Sequence, residues 1–534
     1  MTADILIVGG GLGGVAGALA ALEAGRRVIL VEQYDWLGGQ LTSQGVPVDE
    51  HPWIEEMGAT RRYRALRDGI RQYYRDHFPL TEAARQHPRL NPGAGSVSKL
   101  CSEPRVGAAV ITGMLAPWLS AGRLQLIKPA VAVGADVDGD EVTAVHVRRL
   151  DDQREVRVQA RYVLDATETG ELLPLTGTEY VTGFESRHDT GEPSAPEEAQ
   201  PDNWQALSVC FAVDHVEGDH TIDKPTQYEK WRAVRPDFWW GPLLGLTSPH
   251  PRTLEAAPRS FVPNTDEDPF TVQADQSKDP GDQNLWIYRR IAARKLFEPG
   301  FYDSDITLVN WPSIDYFDAP VIDQPADVVA RRLEDARQLS RSMLYWLQTE
   351  APRPDGGTGL HGLRLRPDVM GTADGLAQAP YFRESRRIRA LTTVTENDIS
   401  MTIRGDAGAR LFHDSVGIGM YRIDLHPSTG GDNYIDVPSC PFQIPLGALI
   451  PQRMRNLIAA NKNIGTTHIT NGCYRLHPVE WNIGEAAGAL AATCIDDGVE
   501  PREIHSDPAR LTRFQAALER QGVELSWPSG IAGY

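Results

Sequence analysis

The run Ile5–Val8 (ILIV) is apolar without interruption, the pattern of a strand covered on both faces of a parallel sheet. The glycine-rich stretch GGGLGG at 9–14 follows, and VAGALAALEAGRR then reads as a helix rich in small residues ending near Gly25. Arg27–Val31 (RVILV) is a second buried strand, so strand, turn, helix and strand are complete within the first 32 residues. Residues 53–90 are polar, with Arg and Tyr at helical spacing, and predict helices that cap a site. Ser102–Leu119 predicts an amphipathic helix. Leu124–Val133, Val142–Arg149 and Glu155–Val158 alternate like strands, and Asp138-Gly139-Asp140 marks a turn, which together predict a small antiparallel meander. Arg161–Asp165 (RYVLD) returns to a buried strand.

From about 175 to 330 the texture changes. Pro, Asp and aromatic residues rise, and His188–Asn203 and Pro263–Gln283 read as polar loops. Asp327–Glu350 predicts a helix. Arg455–Ala460 (RNLIAA) is strand-like, and Val479–Ile495 predicts a second helix of small residues. The tail thus returns to the texture of the start. The expected organisation is an α/β nucleotide-binding domain in two parts, residues 1–174 and 381–534, with an inserted α+β substrate or cap domain at 175–380.

In Gly9-x-Gly11-x-x-Gly14 the first glycine permits the tight turn. The second leaves room for a pyrophosphate, and the third lets helix and strand pack closely. Glu32 ends the second strand, eighteen residues past Gly14, where an acid accepts hydrogen bonds from ribose hydroxyls and disfavours a 2′-phosphate. Three features favour FAD over NAD: the second glycine turn Gly38-Gly39-Gln40, Asp165-Ala166-Thr167 after a mid-chain buried strand, and Asn463-Ile464-Gly465 ahead of a helix starting near Pro478.

These motifs resemble the FAD-dependent oxidoreductase family with the glutathione-reductase type of Rossmann domain. The resemblance rests on GGGLGG with Glu32, LGGQLTSQGV at 37–46, LDATETG at 164–170, NLIAANKNIGTTH at 456–468 and YRLHPVEWNIGEAAGALAA at 474–492. YFRESRRI at 381–388, DSVGIGMY at 414–421, LWIYRRI at 285–291 and NWPSIDYF at 310–317 extend it. It implies that Gly9, Gly11, Leu12, Gly13 and Gly14 hold the pyrophosphate of a non-covalent FAD, and that Glu32 and Gln33 hold the ribose. It further implies that Gly39, Gln40 and Thr42, with Ala166 and Thr167, line the pyrophosphate and flavin side. Val131 contacts adenine through its backbone, and Asn463 and the Gly484–Gly488 helix sit by the isoalloxazine. Glu168, where Gly is usual, Lys462, where Arg is usual, and His477, where an apolar residue is common, depart from the family pattern.

Removing hydride from a carbon that bears OH or NH needs a base for the heteroatom proton, and histidine titrates in the right range. His468 and His477 flank the expected flavin segment and are the candidate bases; His51, His361 and His426 read as structural or exposed. A helix N-terminus near Pro478 suits negative charge on a reduced flavin. Glu480 in its first turn reads as a dipole cap. Trp240, Trp311, Tyr316 and Arg475 are candidate substrate contacts; Arg383, Arg386, Arg387 and Arg389 read as a solvated basic face or an interdomain contact.

Composition narrows the picture further. The formal net charge of -19 disfavours nucleic acid and anionic membranes as partners, and no stretch is apolar enough to span a bilayer. The five scattered cysteines form no CxxC pair, no metal site is expected, and the start has no secretory pattern, so a cytoplasmic location is expected. No second GxGxxG occurs in a strand–helix context. A reduced flavin would therefore pass its electrons to O2, to a diffusible acceptor or to a transient NAD(P)H. The expected function is a dehydrogenase or oxidase of a small-molecule substrate, with flavin monooxygenase and non-catalytic flavoprotein as alternatives, and a homo-oligomer is allowed.

Overall fold

The computed structural model describes residues 1–274 and 284–534. The first part comprises β1 (Thr2–Val8), α1 (Leu12–Glu23), β2 (Val28–Val31), α2 (Arg61–His77), α3 (Pro104–Ser120), β3 (Leu124–Ile127), β4 (Ala130–Asp138), β5 (Glu141–Arg149) and β6 (Glu155–Asp165). The middle contributes β7 (Phe211–His215), β8 (Arg290–Ala292), β9 (Ile306–Val309), α4 (Ala326–Thr349) and β10 (Leu363–Leu365). The return contributes β11 (Ser415–Gly419), β12 (Phe442–Pro445), β13 (Leu457–Ala459), α5 (His468–Tyr474) and α6 (His477–Asp497).

The chain forms an α/β core around a Rossmann-like parallel sheet ordered β3-β2-β1-β6, with β13 on the far side of β6. The register pairs Val8 with Val31 and with Asp165, and Ala459 with Asp165, so these strands end together at one edge. In such sheets ligands bind beyond that edge. Two strand expectations change. Glu155–Asp165 is one continuous strand, antiparallel to β5 in its first half and parallel to β1 in its second. The segment expected as Leu124–Val133 is two strands, because Pro129 has no N–H to continue a ladder.

Helices α1 and α6 pack side by side with their N-termini at the same end. A Cβ on Gly484 would lie 1.9 Å from the Gly13 carbonyl oxygen, and one on Gly488 2.2 Å from that of Gly17. Only glycine lets the two backbones approach this closely. The middle segment forms an antiparallel sheet ordered β8-β9-β7-β10, with α4 contributing Leu339, Met343 and Leu347 to an aromatic-rich core around Trp231, Trp239, Trp286 and Trp311. The loop expected over Pro263–Gln283 contains a short helix, Pro269–Ala274, and its last nine residues lie outside the described ones. Gly417–Gly419 lie in β11, a strand rather than a nucleotide turn. Helix α2 packs on α3, and its Tyr63 and Arg67 bond Glu50.

All five cysteines are buried free thiols. Among the described residues no helix is long and apolar enough to cross a membrane, and no cluster of three or more His, Cys, Asp or Glu is arranged to hold a metal.

Candidate functional site

A cleft of about 670 Å³ opens at the carboxyl edge of the parallel sheet. Its walls include Gly9 and Gly11, Val31–Tyr34, Ala130–Ala132 and Ala166–Glu168. Gly9 holds a φ of +99°, and a Cβ there would lie 2.1 Å from the Ala166 carbonyl oxygen. The second glycine turn is tied to the first by Gly38 N–H donating to Gly10 O at 2.7 Å, and a Cβ on Gly39 would meet Gly11 Cα at 2.9 Å. The two turns form a cradle with no room for side chains. Glu32 accepts from Gly10 N–H at 2.6 Å and from Tyr34 N–H at 2.8 Å, and burial pushes its carboxyl up to about 7. Gln44 lines the same cleft with both side-chain amide atoms buried and unpartnered. A glycine cradle at a helix N-terminus, an acid at the end of β2 and an unsatisfied amide in the wall fit FAD.

Of the expected cofactor contacts, Gly9, Gly11, Glu32, Gln33, Gly39, Val131, Ala166 and Thr167 line the cleft. Leu12, Gly13, Gly14, Gln40, Thr42, Asn463, Gly484 and Gly488 do not, and each has another task. Leu12 is core. A Cβ on Gly13 would lie 2.0 Å from Ala460 O, and one on Gly14 1.9 Å from Gly9 O, so these glycines serve the packing of α1. Gln40 Nε2 donates to Arg475 O at 2.9 Å and to the Glu480 carboxylate, and Thr42 Oγ1 donates to Leu37 O at 2.7 Å. Asn463 Nδ2 donates to Asp165 O at 3.0 Å, which fastens the loop after β13 to the sheet. Gly484 and Gly488 face α1, not an open site. Sequence reasoning missed Gln44 and the segment Ala379, Pro380 and Phe382. Gln44 follows the second glycine turn directly and was within reach; the segment carries no local signal.

Glu168 and Lys462 are each other's ion-pair partners. Burial favours an uncharged Lys462, but Glu168 and Glu480 outweigh it and raise its pKa. Glu480 lies in the first turn of α6, as expected, and also caps α1, accepting from Gly13 N–H at 3.1 Å; burial pushes it up to about 7 against the opposing pull of Lys462.

A larger cavity of about 1980 Å³, including its open mouth, lies against residues 379–383. Along that segment Ala379, Pro380 and Phe382 border the first cleft, while Tyr381 and Arg383 border the cavity. Tyr381 N–H donates to Ser208 O at 2.8 Å and Ala379 N–H to Ser43 O at 3.0 Å, which fix the segment from both sides. Trp311 and Arg475 line this cavity as expected. Tyr316 does not; it packs on Trp231 in the aromatic core, with ring centroids 6.0 Å apart. Trp240 is 58% exposed, donates Nε1–H to Leu254 O at 2.7 Å and lines neither space.

Neither expected base borders the cavity. His477 is fully buried, accepts from Asp49 N–H at Nδ1 (3.1 Å) and donates from Nε2 to Val46 O (3.2 Å); burial pulls it down to about 4, a neutral ring with both nitrogens engaged. His468 stacks on Phe184 and pairs its Nδ1 with Glu384 at 2.9 Å. In the basic run Arg389 is exposed, but Arg383 and Arg387 are buried, and Arg387 bonds Glu185 at 2.8 Å and Glu384 at 2.6 Å.

Two other histidines line the cavity. His51 donates from Nε2 to Gly58 O at 3.1 Å, its Nδ1 has no partner, and burial pulls it down to about 4. His426 Nδ1 bonds Asp315 Oδ2 at 2.6 Å, and no described hydrogen bond engages its Nε2, whose near carboxylate, Asp424, stands at 3.8 Å. Asp315 also accepts from Ser208 Oγ at 2.7 Å and pairs with Arg383 at 3.1 Å. Burial alone would raise the Asp315 carboxyl; Arg383 and His426 outweigh it and hold it below its ordinary value. This pair joins residues 111 apart in sequence, which local motifs do not reveal.

A family model described as FAD dependent oxidoreductase matches residues 4–518. No curated protein matches the chain in sequence. Among solved structures it is similar to a geranylgeranyl bacteriochlorophyll reductase-like protein from Thermoplasma acidophilum (13% identity, 98% of this chain and 84% of that one, TM-score 0.32). It is also similar to an anhydrotetracycline hydroxylase from Streptomyces rimosus (12%, 97% and 66%, TM-score 0.30). A myxobacterial chondrochloren halogenase matches over 42% of this chain at 15% identity with a TM-score of 0.22, and the chain spans 45% of that protein's length.

Proposed function

The chain belongs to the FAD-dependent oxidoreductase family, and on that premise we propose that it oxidises a small organic molecule by hydride removal, with the larger cavity as the substrate space. Bound FAD supplies the two-electron acceptor. Gly9, Gly11, Glu32, Gln33, Gln44 and Val131 would hold it.

The observation that carries the reading is the Asp315–His426 pair in the cavity wall. Asp315 accepts the Nδ1 proton, which fixes the tautomer and leaves the Nε2 lone pair for the substrate. A base oriented by a buried carboxylate is the arrangement that proton abstraction needs. Burial pulls the His426 pKa below its ordinary value, which favours the neutral, proton-accepting ring. As the substrate's OH or NH proton moves to Nε2, Asp315 stabilises the imidazolium that forms. Arg383, bonded to Asp315 and to Ser208 Oγ at 3.0 Å, keeps the carboxylate in place.

The test is anaerobic mixing of the FAD-loaded protein with small alcohols and amines while flavin absorbance is followed. A reducing substrate should bleach the flavin without NAD(P)H. His426→Gln should slow that reduction about 10²–10⁴-fold with flavin content unchanged. Flavin reduced only by NAD(P)H, together with label from ¹⁸O2 in the product, would overturn hydride removal in favour of oxygen insertion.

A further inference from the structure

We infer that the larger cavity takes a substrate bearing a carboxylate, with Arg289 as its primary contact and Arg475 and Arg383 beside it. The inference rests on this cavity being the substrate space.

The protein carries a net charge of -19, yet this cavity runs the other way: seven Arg or Lys side chains line it against four Asp or Glu. Three of the guanidiniums are buried, at 8% exposure or less, and each leaves its Nε without a partner: Arg289, Arg383 and Arg475. Arg383 and Arg475 are otherwise well held. Arg475 donates to the Tyr381 hydroxyl at 2.7 Å and to Asp424 O at 3.1 Å, and Arg383 donates to Ala206 O at 2.9 Å. Arg289 is the least satisfied. Its described bond is Nη1 to Asp49 at a long 3.3 Å, with its guanidinium 5.2 Å from the Tyr288 ring centroid.

A buried guanidinium with idle donors is costly unless an anion completes it. Planar, forked donors match a carboxylate in two parallel bonds, which a neutral amide or alcohol cannot return. Asp49 pairs with one edge of Arg289, which leaves the Nε edge for the ligand. Trp311, whose Nε1 is also unpartnered, and the rings of Tyr288 and Tyr421 give the rest of the wall a flat apolar character. The ligand class is therefore a small carboxylic acid with a flat or apolar body.

The experiment uses the FAD-loaded full chain and pairs acetate, benzoate and succinate with acetamide, benzamide and succinamide. Binding is read by calorimetry and by tryptophan fluorescence, with no turnover required. At least one acid should bind about tenfold or more tighter than its amide, and added salt should narrow the gap. Arg289→Gln should abolish that preference and Arg289→Lys retain part of it. The inference is overturned if no acid exceeds its amide, or if Arg289→Gln keeps the preference with flavin content and circular dichroism unchanged. Flavin bleaching by neutral alcohols with no acid preference refutes the anion site and leaves hydride removal standing. Acid preference with no flavin reduction by any compound does the reverse.

Discussion

Lys462→Met removes the one cation from a buried group that also holds Glu168 and Glu480. The Lys462 side chain is 1% exposed, that of Glu168 17%, and Glu480 is fully buried. Two carboxylates then face each other beside the N-terminus of α1 with no counter-charge. Breaking a buried pair from one side costs about 3–5 kcal/mol, because the charge left behind is uncompensated. Replacing both members leaves Glu480 alone, and burial already pushes that carboxyl up to about 7, so it can take a proton; Glu168→Gln/Lys462→Met should therefore recover much of that loss. The coupling between the two sites should be about 1–3 kcal/mol. The assay is a double-mutant cycle on the FAD-free protein, read as urea midpoints with slopes checked for constancy. Lys462→Met within about 1 kcal/mol of the parent, or strictly additive substitutions, would refute the argument that these two side chains are interdependent.

Further outcomes follow from other contacts. Gly484→Ala should cost about 1–3 kcal/mol or more and weaken FAD retention, since its Cβ would press on the Gly13 carbonyl and displace α1; thermal unfolding and flavin content of the purified protein check this. Glu32→Gln should weaken FAD binding about tenfold or more in equilibrium titration, because an acceptor oxygen for the hydroxyl donors is replaced by an amide donor. His477, held near 4 when folded against 6.5 when free, contributes stability that is full above pH 6.5 and lost as pH falls toward 4, on the order of 3 kcal/mol; His477→Gln should flatten the urea midpoint across that window. Trp240→Ala should leave stability within about 0.5 kcal/mol and substrate affinity unchanged, the ring being exposed and lining neither space.

The nucleotide half of the site was legible because its signals are local. Gly9, Gly11 and Glu32 are spaced by the geometry of one strand–helix–strand unit, and all three line the cleft. The same local reading assigned Gly484 and Gly488 to the flavin, since a small-residue helix looks alike whether it approaches a ligand or another helix. The departures at 168 and 462, puzzling singly, make sense as partners 294 residues apart. The placing of the histidines about the larger cavity was hidden for the same reason. Chain proximity to the flavin segment favoured His468 and His477, whereas His426 gains its orientation from Asp315, on a strand in the middle segment.

The extended segment at 379–383 is a wall one residue thick with different tenants on its two sides. Substitutions at 379, 380 and 382 would retune the cofactor cleft, and substitutions at 381 and 383 the proposed substrate space. Insertion or loss of a single residue before it would move side chains from one space to the other. A lineage diversifying this enzyme can therefore change substrate by drift at alternate positions while its cofactor chemistry is conserved, but it cannot change the length of that wall.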